Sequence, residues 1–398
     1  MTERIAFGRF VALHERDAPS LLQRMSSRDL PVEGDRYGIV TRLIARPRAE
    51  VADLAAAVLR KLFQTTAFSP SELGGIVLSS RIADPKTAAQ QVAQELGLAC
   101  HADGIERACS GFPAATRLAL QHCRKRGQPV AVIAAEIISR NINWEPASGD
   151  LADQQRARGQ AAKLFADGAA AVVVGPAGTD CPHQILDAWQ GEVPDDRQLI
   201  QKIGVEHAVD PWGSARPGST HCISMPGRRG FWLVKRAPQI MADAVSQSVE
   251  NAKRAGHLTD ESVSHIVPHQ PNGLILSRFQ EQLREAEKDT PEHDAADEPQ
   301  RPSRSQVRAR KPRPQLPLGC TALTKVWNGI ENAGNTVSAS IPLAMADVQD
   351  RLPPQAIVAM PSVGAGGPGY RPDVLSTGCV LLRIGPKTTP KTTSDSVL

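Results

Sequence analysis

Short apolar runs alternate along this chain with amphipathic stretches of helix length. That alternation restricts the fold to an α/β class in which strands lie buried under helices. In residues 50–63, Val51, Leu54, Ala55, Val58, Leu59 and Leu62 fall on one face of a helix. Gly75–Ser80 then reads as a short buried strand and Thr87–Leu96 as the next helix. Pro129–Ala135 and Ala169–Val174 are further buried-strand segments. In the second half Met241, Ala244, Val245, Val249 and Ala252 share a helix face. Val263–Val267 turns extended, and Gln355–Met360 and Gly378–Ile384 form the closing strands.

A chain of 398 residues with 41% hydrophobic content can bury one large core or two medium ones. The longest apolar runs are far too short to span a bilayer, and Met-Thr-Glu-Arg-Ile does not open like a secretory leader. The expectation is a cytoplasmic protein without membrane attachment. A net charge of +4 with 4% aromatic residues is a poor footprint for nucleic-acid binding. The 7 cysteines are odd in number, widely spaced and free of Cys-x-x-Cys pairs, which argues against a disulfide framework or a structural zinc site.

One stretch breaks the α/β texture. Residues 285–317 open acidic and turn basic, with prolines throughout, a composition that cannot build a packed core. They are expected to form a disordered surface insertion, and the tail 386–398 is expected to be disordered as well.

Four pieces carry chemistry. In Glu106-Arg-Ala-Cys109-Ser-Gly-Phe-Pro an extended segment, His101–Ile105, meets a helix running from Ser110 to about Lys125, with a thiol at the junction. The positive end of a helix dipole favours thiolate there, although an isolated cysteine is more often an inert buried one. In Ile266-Val-Pro-His269-Gln-Pro-Asn272 a strand runs into a loop presenting a histidine, which by itself is more often simply a satisfied loop residue. His265 and His269 are no metal pair, because the intervening Val-Pro prevents a helix. In Gly334-Asn335-Thr-Val-Ser-Ala-Ser-Ile-Pro, Asn335 is placed either to donate into a cleft or merely to cap a helix. Last, Ser362-Val-Gly-Ala-Gly-Gly-Pro-Gly369 follows a strand. It lacks the helix and downstream acid of a dinucleotide site, and it reads instead as a turn whose amides can form half of an oxyanion hole.

Taken together these pieces resemble the ketoacyl-acyl-carrier-protein synthase III branch of the thiolase superfamily. ACSGF around Cys109, VPHQPN around His269 and GNTVSASIP from Gly334 match it. Phe165-Ala-Asp-Gly-Ala-Ala-Ala-Val-Val-Val, Ile223-Ser-Met-Pro-Gly-Arg-Arg-Gly-Phe231 and Asp35-Arg36-Tyr37-Gly38-Ile39 are similar to further family segments, in family order. The resemblance implies a duplicated thiolase-like α/β core in five αβαβα layers, with halves at 1–175 and 176–385, usually assembled as a homodimer. It implies that Cys109 and Asn335 stand at equivalent helix starts. Cys109 would take the acyl group, and His269 and Asn335 would hold the thioester carbonyl of a second, malonyl-type substrate. The amides of Cys109 and Gly367 would bind the oxyanion. Arg36, Asn272, Arg228, Arg229, Lys235 and Arg236 would meet coenzyme A or an acyl carrier protein. No metal and no redox cofactor is implied; acyl thioesters are the substrates.

Departures from the family pattern bear on the acyl donor. Val32 stands where coenzyme A users often have tryptophan, Leu274 where an arginine is usual, and Glu106-Arg107 precedes the nucleophile where small residues are commoner. The expected activity is acyl transfer to Cys109 followed by decarboxylative Claisen condensation, in specialised polyketide- or fatty-acid-like metabolism. The alternative is transfer of the Cys-bound acyl group to a hydroxyl or amine.

Overall fold

The computed structural model describes residues 4–28, 37–81, 84–144, 161–178, 180–195, 201–205, 210–212, 214, 220–224, 227–288, 317–367 and 371–386. For 201–205, 220–224, 227–231, 286–288, 322–323, 365–367 and 372 it describes the backbone alone. Arg36, Val32, the bulk of the charged segment (289–316) and the tail from 387 lie outside the described residues.

The first part of the chain contains β1 (Ile5–Phe7), β2 (Val11–Ala12), β3 (Leu22–Ser26), β4 (Thr41–Ala45), α1 (Val51–Thr65), β5 (Gly75–Ser79), α2 (Pro85–Glu95), β6 (His101–Ile105), α3 (Gly111–Arg126), β7 (Val130–Glu136) and β8 (Gly168–Pro176). The second contains β9 (His183–Pro194), β10 (Gln201–Val205), β11 (Thr220–Ser224), α4 (Gly227–Arg254), β12 (Val263–Ile266), α5 (Gly273–Lys288), β13 (Cys320–Val326), α6 (Ile330–Ala333), α7 (Ser340–Val348), β14 (Ile357–Gly367) and β15 (Arg371–Arg383).

Local chemistry accounts for these elements. α1 is bounded by Glu50, whose amide donates to Asp53 Oδ2 at 2.7 Å, and it buries Val51, Leu54, Val58, Leu59 and Leu62 at helical spacing. α2 starts on an Asp84 cap followed by Pro85, with the Thr87 amide donating to Asp84 at 3.0 Å. β7, Val-Ala-Val-Ile-Ala-Ala-Glu, is buried along its whole length, as a strand covered on both faces must be.

The main sheet runs β13-β12-β14-β15-β9-β1-β8-β7-β5-β6, with β2 added on β8. This order mirrors itself. β5 is parallel to β6 and β7, and β7 is antiparallel to β8; likewise β12 is parallel to β13 and β14, and β14 is antiparallel to β15. The seam is the antiparallel pair β1–β9, with Phe7 opposite His183.

Side chains alternate across each strand and so sort into layers. Ile76, Leu78, Ala131 and Ile133 pack under α1 and α2, whereas Val77, Val130 and Val132 face α3. In the other half Val358 and Met360 face the same central core, where Phe112 and Ala115 of α3 meet Ile341 and Met345 of α7. Ile357, Ala359 and Leu381 pack outward under α4 and α5. The result is helix, sheet, helix, sheet, helix: the five-layered αβαβα thiolase-like architecture.

Two sequence expectations change. The glycine-rich stretch from Ser362 to Gly367 is no turn; it continues β14 and pairs with β15, Ser362 opposite Gly378 and Gly367 opposite Arg371. Cross-strand partners supply the order that glycine's own propensity does not. Residues 285–288, assigned by composition to the insertion, instead complete α5.

Candidate active site

Two tight turns meet in the centre of the molecule. A 3-10 turn at Ala108–Ser110 leads into α3, and another at Val337–Ala339 leads into α7. Each begins with a non-glycine residue in the left-handed region, Ala108 at φ 46° and Val337 at φ 52°. For a β-branched valine this is an outlier, the kind of strain, about 1–3 kcal/mol, that surrounding packing must hold in place. The turns superpose by sequence: Ala108-Cys109-Ser-Gly-Phe-Pro113 on Val337-Ser338-Ala-Ser-Ile-Pro342. The counterpart of Cys109 in the second half is therefore Ser338, and Asn335 lies three positions earlier rather than at the equivalent helix start. The turns press together so closely that a Cβ on Gly111 would lie 2.1 Å from Ser79 Oγ and 2.9 Å from Ser338 Cβ.

Cys109 is half-buried and lines a pocket with about 390 Å³ of empty space, part of it open to solvent. His269, Asn335, Asn272 and Gly364 share its wall, and Leu164, Phe165, Leu233, Ala237 and Ile275 supply an apolar lining. Burial pushes the Cys109 thiol up to about 12; nearby Arg81 opposes this and Glu136 adds to it. The thiolate expected from a helix dipole is thus not the resting state. A 3-10 turn separates Cys109 from the α-helix, and desolvation outweighs the dipole.

His269 is buried, its amide donating to Pro361 O at 2.8 Å. Burial lowers the imidazole to about 3, so the ring is neutral at physiological pH. Its Nδ1 lies 2.6 Å from Ser340 Oγ, which also stands 3.0 Å from Val337 O and accepts from the Gln270 amide at 3.3 Å. With the hydroxyl donating to Val337 O, Nδ1 carries the proton and Nε2 is a base. With the hydroxyl turned to Nδ1, Nε2 carries the proton and is a donor. Ser340 can serve both tautomers.

Asn335 is fixed on both sides. Its amide donates to Leu164 O at 3.0 Å and its carbonyl accepts from Ala166 N at 2.9 Å, so the Phe165-Ala166-Asp167 segment holds its backbone. Asn335 Oδ1 accepts from Val337 N at 2.9 Å and Nδ2 donates to Pro271 O at 3.1 Å, which leaves one Nδ2 hydrogen for another acceptor. Arg42, fully buried, donates to the carbonyls of Ala162, Lys163 and Phe165 and fixes this wall of the pocket.

Behind both turns lies Glu136 at the end of β7. Its carboxylate accepts from Ser338 Oγ at 2.5 Å and from the Arg81 amide at 2.9 Å. Burial raises its carboxyl to about 7 despite these bonds. Sequence reasoning missed Glu136, Ser338 and Ser340. The available signals were a charged residue ending an otherwise apolar strand, and the ACSGFP/VSASIP repeat.

The remaining expected site residues are dispersed. The glycine packed against Cys109 is Gly364, where an added Cβ would sit 2.6 Å from Cys109 N; Gly367 lies three residues further along β14, opposite Arg371. Asn272 lines the pocket, but its Oδ1 accepts from Ile275 N at 2.8 Å and so caps α5. Lys235 is exposed on α4, with its ammonium 5.9 Å from the Trp232 ring, and Arg236 is half-buried. Arg228 and Arg229 lie on α4 with side chains outside the described residues, and Arg36 lies wholly outside them. Leu274 is exposed at the start of α5, and Arg107 is tied to Glu192 at 2.6 Å. Among the described residues no helix is long and apolar enough to cross a membrane.

Residues 104–191, which include Cys109, match the family described as 3-oxoacyl-[acyl-carrier-protein (ACP)] synthase III. The 3-oxopimeloyl-[acyl-carrier-protein] synthase of Rhodothermus marinus is 28% identical over 338 residues, covering 83% of this chain and 81% of that protein. A β-ketoacyl-[acyl-carrier-protein] synthase III from the Wolbachia of Brugia malayi is 25% identical, covering 87% and 89%. Among solved structures, the priming β-ketosynthase of the R1128 polyketide pathway aligns with a TM-score of 0.64 at 21% identity, covering 97% of this chain and 99% of that one. A single-residue variant of Xanthomonas campestris OleA aligns at 0.63 and 15% identity, covering 96% and 97%. At those identities the structures speak to the fold alone; the sequence matches and the site motifs speak to the family. Over most of its length the chain is therefore similar to ketoacyl-acyl-carrier-protein synthase III condensing enzymes, and it shares their thiolase-like fold.

Proposed function

We propose that this enzyme loads an acyl group from a coenzyme A or carrier-protein thioester onto Cys109 and condenses it with a malonyl-type thioester, releasing carbon dioxide and a β-ketoacyl thioester. The observation that carries this reading is the convergence of Cys109, His269 and Asn335 on one apolar-walled pocket.

In the first half-reaction the neutral thiol attacks the donor carbonyl while His269 Nε2 takes its proton, since a free thiolate is disfavoured at a sulfur pushed up to about 12. The departing thiolate recovers that proton, and His269 returns to neutrality. The leucines, Phe165 and Ile275 receive the acyl chain. The Cys109 amide would bind the acyl oxygen, with Gly364 packed close against it.

In the second half-reaction the malonyl-type carboxylate leaves as carbon dioxide and its electron pair becomes an enolate. Nε2–H of His269, with Ser340 turned to Nδ1, and the remaining Nδ2 hydrogen of Asn335 would stabilise the enolate oxygen. The carbanion attacks the Cys109 thioester, and the departing thiolate takes one proton from water to regenerate the thiol. No redox group enters this sequence.

The relatives are named as acyl-carrier-protein synthases and one solved neighbour as the priming β-ketosynthase of a polyketide pathway, and we extend that substrate class to this chain. An acidic carrier would dock near Lys235 and Arg236, at the start of the helix that also lines the pocket. A homodimer is the assembly we propose.

The loading step is tested by peptide mapping after incubation with an acyl thioester. The mass increment should sit on Cys109 and vanish in Cys109→Ala; labelling that persists in that variant defeats the assignment.

A further inference from the structure

Away from the pocket, the edge strand β6 and the last turns of α3 bring two imidazoles and a carboxylate together. His101 and Asp103 are two residues apart on β6 and therefore share a face; His122 reaches them from α3. The ring centroids of His101 and His122 are 4.9 Å apart. Asp103 Oδ2 lies 3.4 Å from His122 Nε2 and 3.7 Å from His101 Nε2, and one ligand atom from each residue lies within 4.8 Å of the others.

We propose that His101, Asp103 and His122 form a binding site for a divalent transition-metal ion of the zinc class, with water completing the coordination. The spacing supports this. Nitrogen and oxygen ligands bound at about 2.0–2.1 Å in a tetrahedron stand roughly 3.3–3.4 Å from one another, so the trio needs little movement to close on an ion. The orientation supports it too. His122 Nε2 is buried and 3.4 Å from the carboxylate, yet the two do not form a hydrogen bond. That leaves the buried nitrogen without a hydrogen-bond partner beside the carboxylate. Asp103 Oδ1 accepts from the Gly104 amide at 2.9 Å, which orients the carboxylate and leaves Oδ2 for the ion. The side chains retain 34%, 25% and 17% exposure, so the cluster lies near the surface. Two imidazoles and one carboxylate suit zinc, cobalt or nickel and not magnesium or calcium.

The site's place in the chain gives it a consequence. Its ligands bracket the connection between β6 and α3, and Cys109 sits in that connection. A bound ion would clamp the two elements that hold the nucleophile's turn.

The test uses the full chain, stripped with a chelator and dialysed. Cobalt(II) is titrated in and followed by its visible ligand-field absorption, and zinc is titrated by calorimetry. The proposal expects one equivalent bound per chain and a melting temperature that rises with saturation. His101→Ala, Asp103→Asn and His122→Gln should each weaken binding at least about tenfold and abolish the rise, while melting like the metal-free parent without ion. Failure of the parent to bind overturns the proposal. So does equal binding by the parent and all three variants, which would place the ion on thiols elsewhere.

Discussion

Gly364→Ala puts the contact between the closing hairpin and the nucleophile's turn under direct strain. The new Cβ would lie 2.6 Å from Cys109 N, 3.0 Å from its Cβ and 3.2 Å from its Cα. Every one of these atoms belongs to Cys109, two of them to backbone that cannot swing aside. Restoring ordinary contact requires a displacement of roughly 0.8 Å, taken up by a turn already strained at Ala108. Overpacking of this kind costs about 1–3 kcal/mol in stability, and misplacing a reacting atom by about 1 Å costs on the order of 10²-fold in rate. Acylation of Cys109, followed by intact-mass spectrometry over time, should therefore slow about a hundredfold, with a melting temperature lower by a few degrees. Gly178→Ala, where an added Cβ meets nothing within 4 Å, is the control and should match the parent. If Gly364→Ala acylates at the parent's rate and melts with it, the hairpin does not shape the site and the reasoning fails.

Asn335→Asp keeps the oxygen that holds Val337 N and removes the donor. It should retain Cys109 loading but lose roughly 10²–10³-fold in condensation, and equal losses in both steps would show that Asn335 acts on the nucleophile instead. Glu136→Gln tests the buried carboxyl. Because the fold raises this acid from 4.5 to about 7, its stabilising effect is full below pH 4.5 and is lost as pH rises through about 7. The stability difference between parent and variant should shift by about 3 kcal/mol in the variant's favour between pH 4.5 and pH 8, measured by urea unfolding; a difference that does not change with pH contradicts the raised acidity.

The strands β5, β7 and β8 were legible because strands covered on both faces must read as continuous apolar runs. α1 was legible from one helical stripe. The motifs around Cys109 and His269 could be picked out because each follows the end of a strand, and Asn335 because small and polar residues open a turn after it; all three line one pocket. What escaped depended on contacts made across the fold. Ser340 and Glu136 look ordinary in sequence and matter only for what they touch. The glycine-rich stretch became strand because β15 pairs with it. The Cys109 thiol sits high because burial, a tertiary property, overrides the helix end that a local reading emphasises. His101, Asp103 and His122 meet only because α3 folds back along β6.

The central claim is condensation on Cys109, and a two-step chase tests it most directly. Protein acylated on Cys109 is freed of donor and mixed with a malonyl thioester labelled in its free carboxyl carbon. The account predicts labelled carbon dioxide, discharge of Cys109 and an equal amount of β-ketoacyl thioester carrying the original acyl group. Discharge of the acyl group onto a hydroxyl or amine acceptor, with the malonyl thioester left intact, would contradict it.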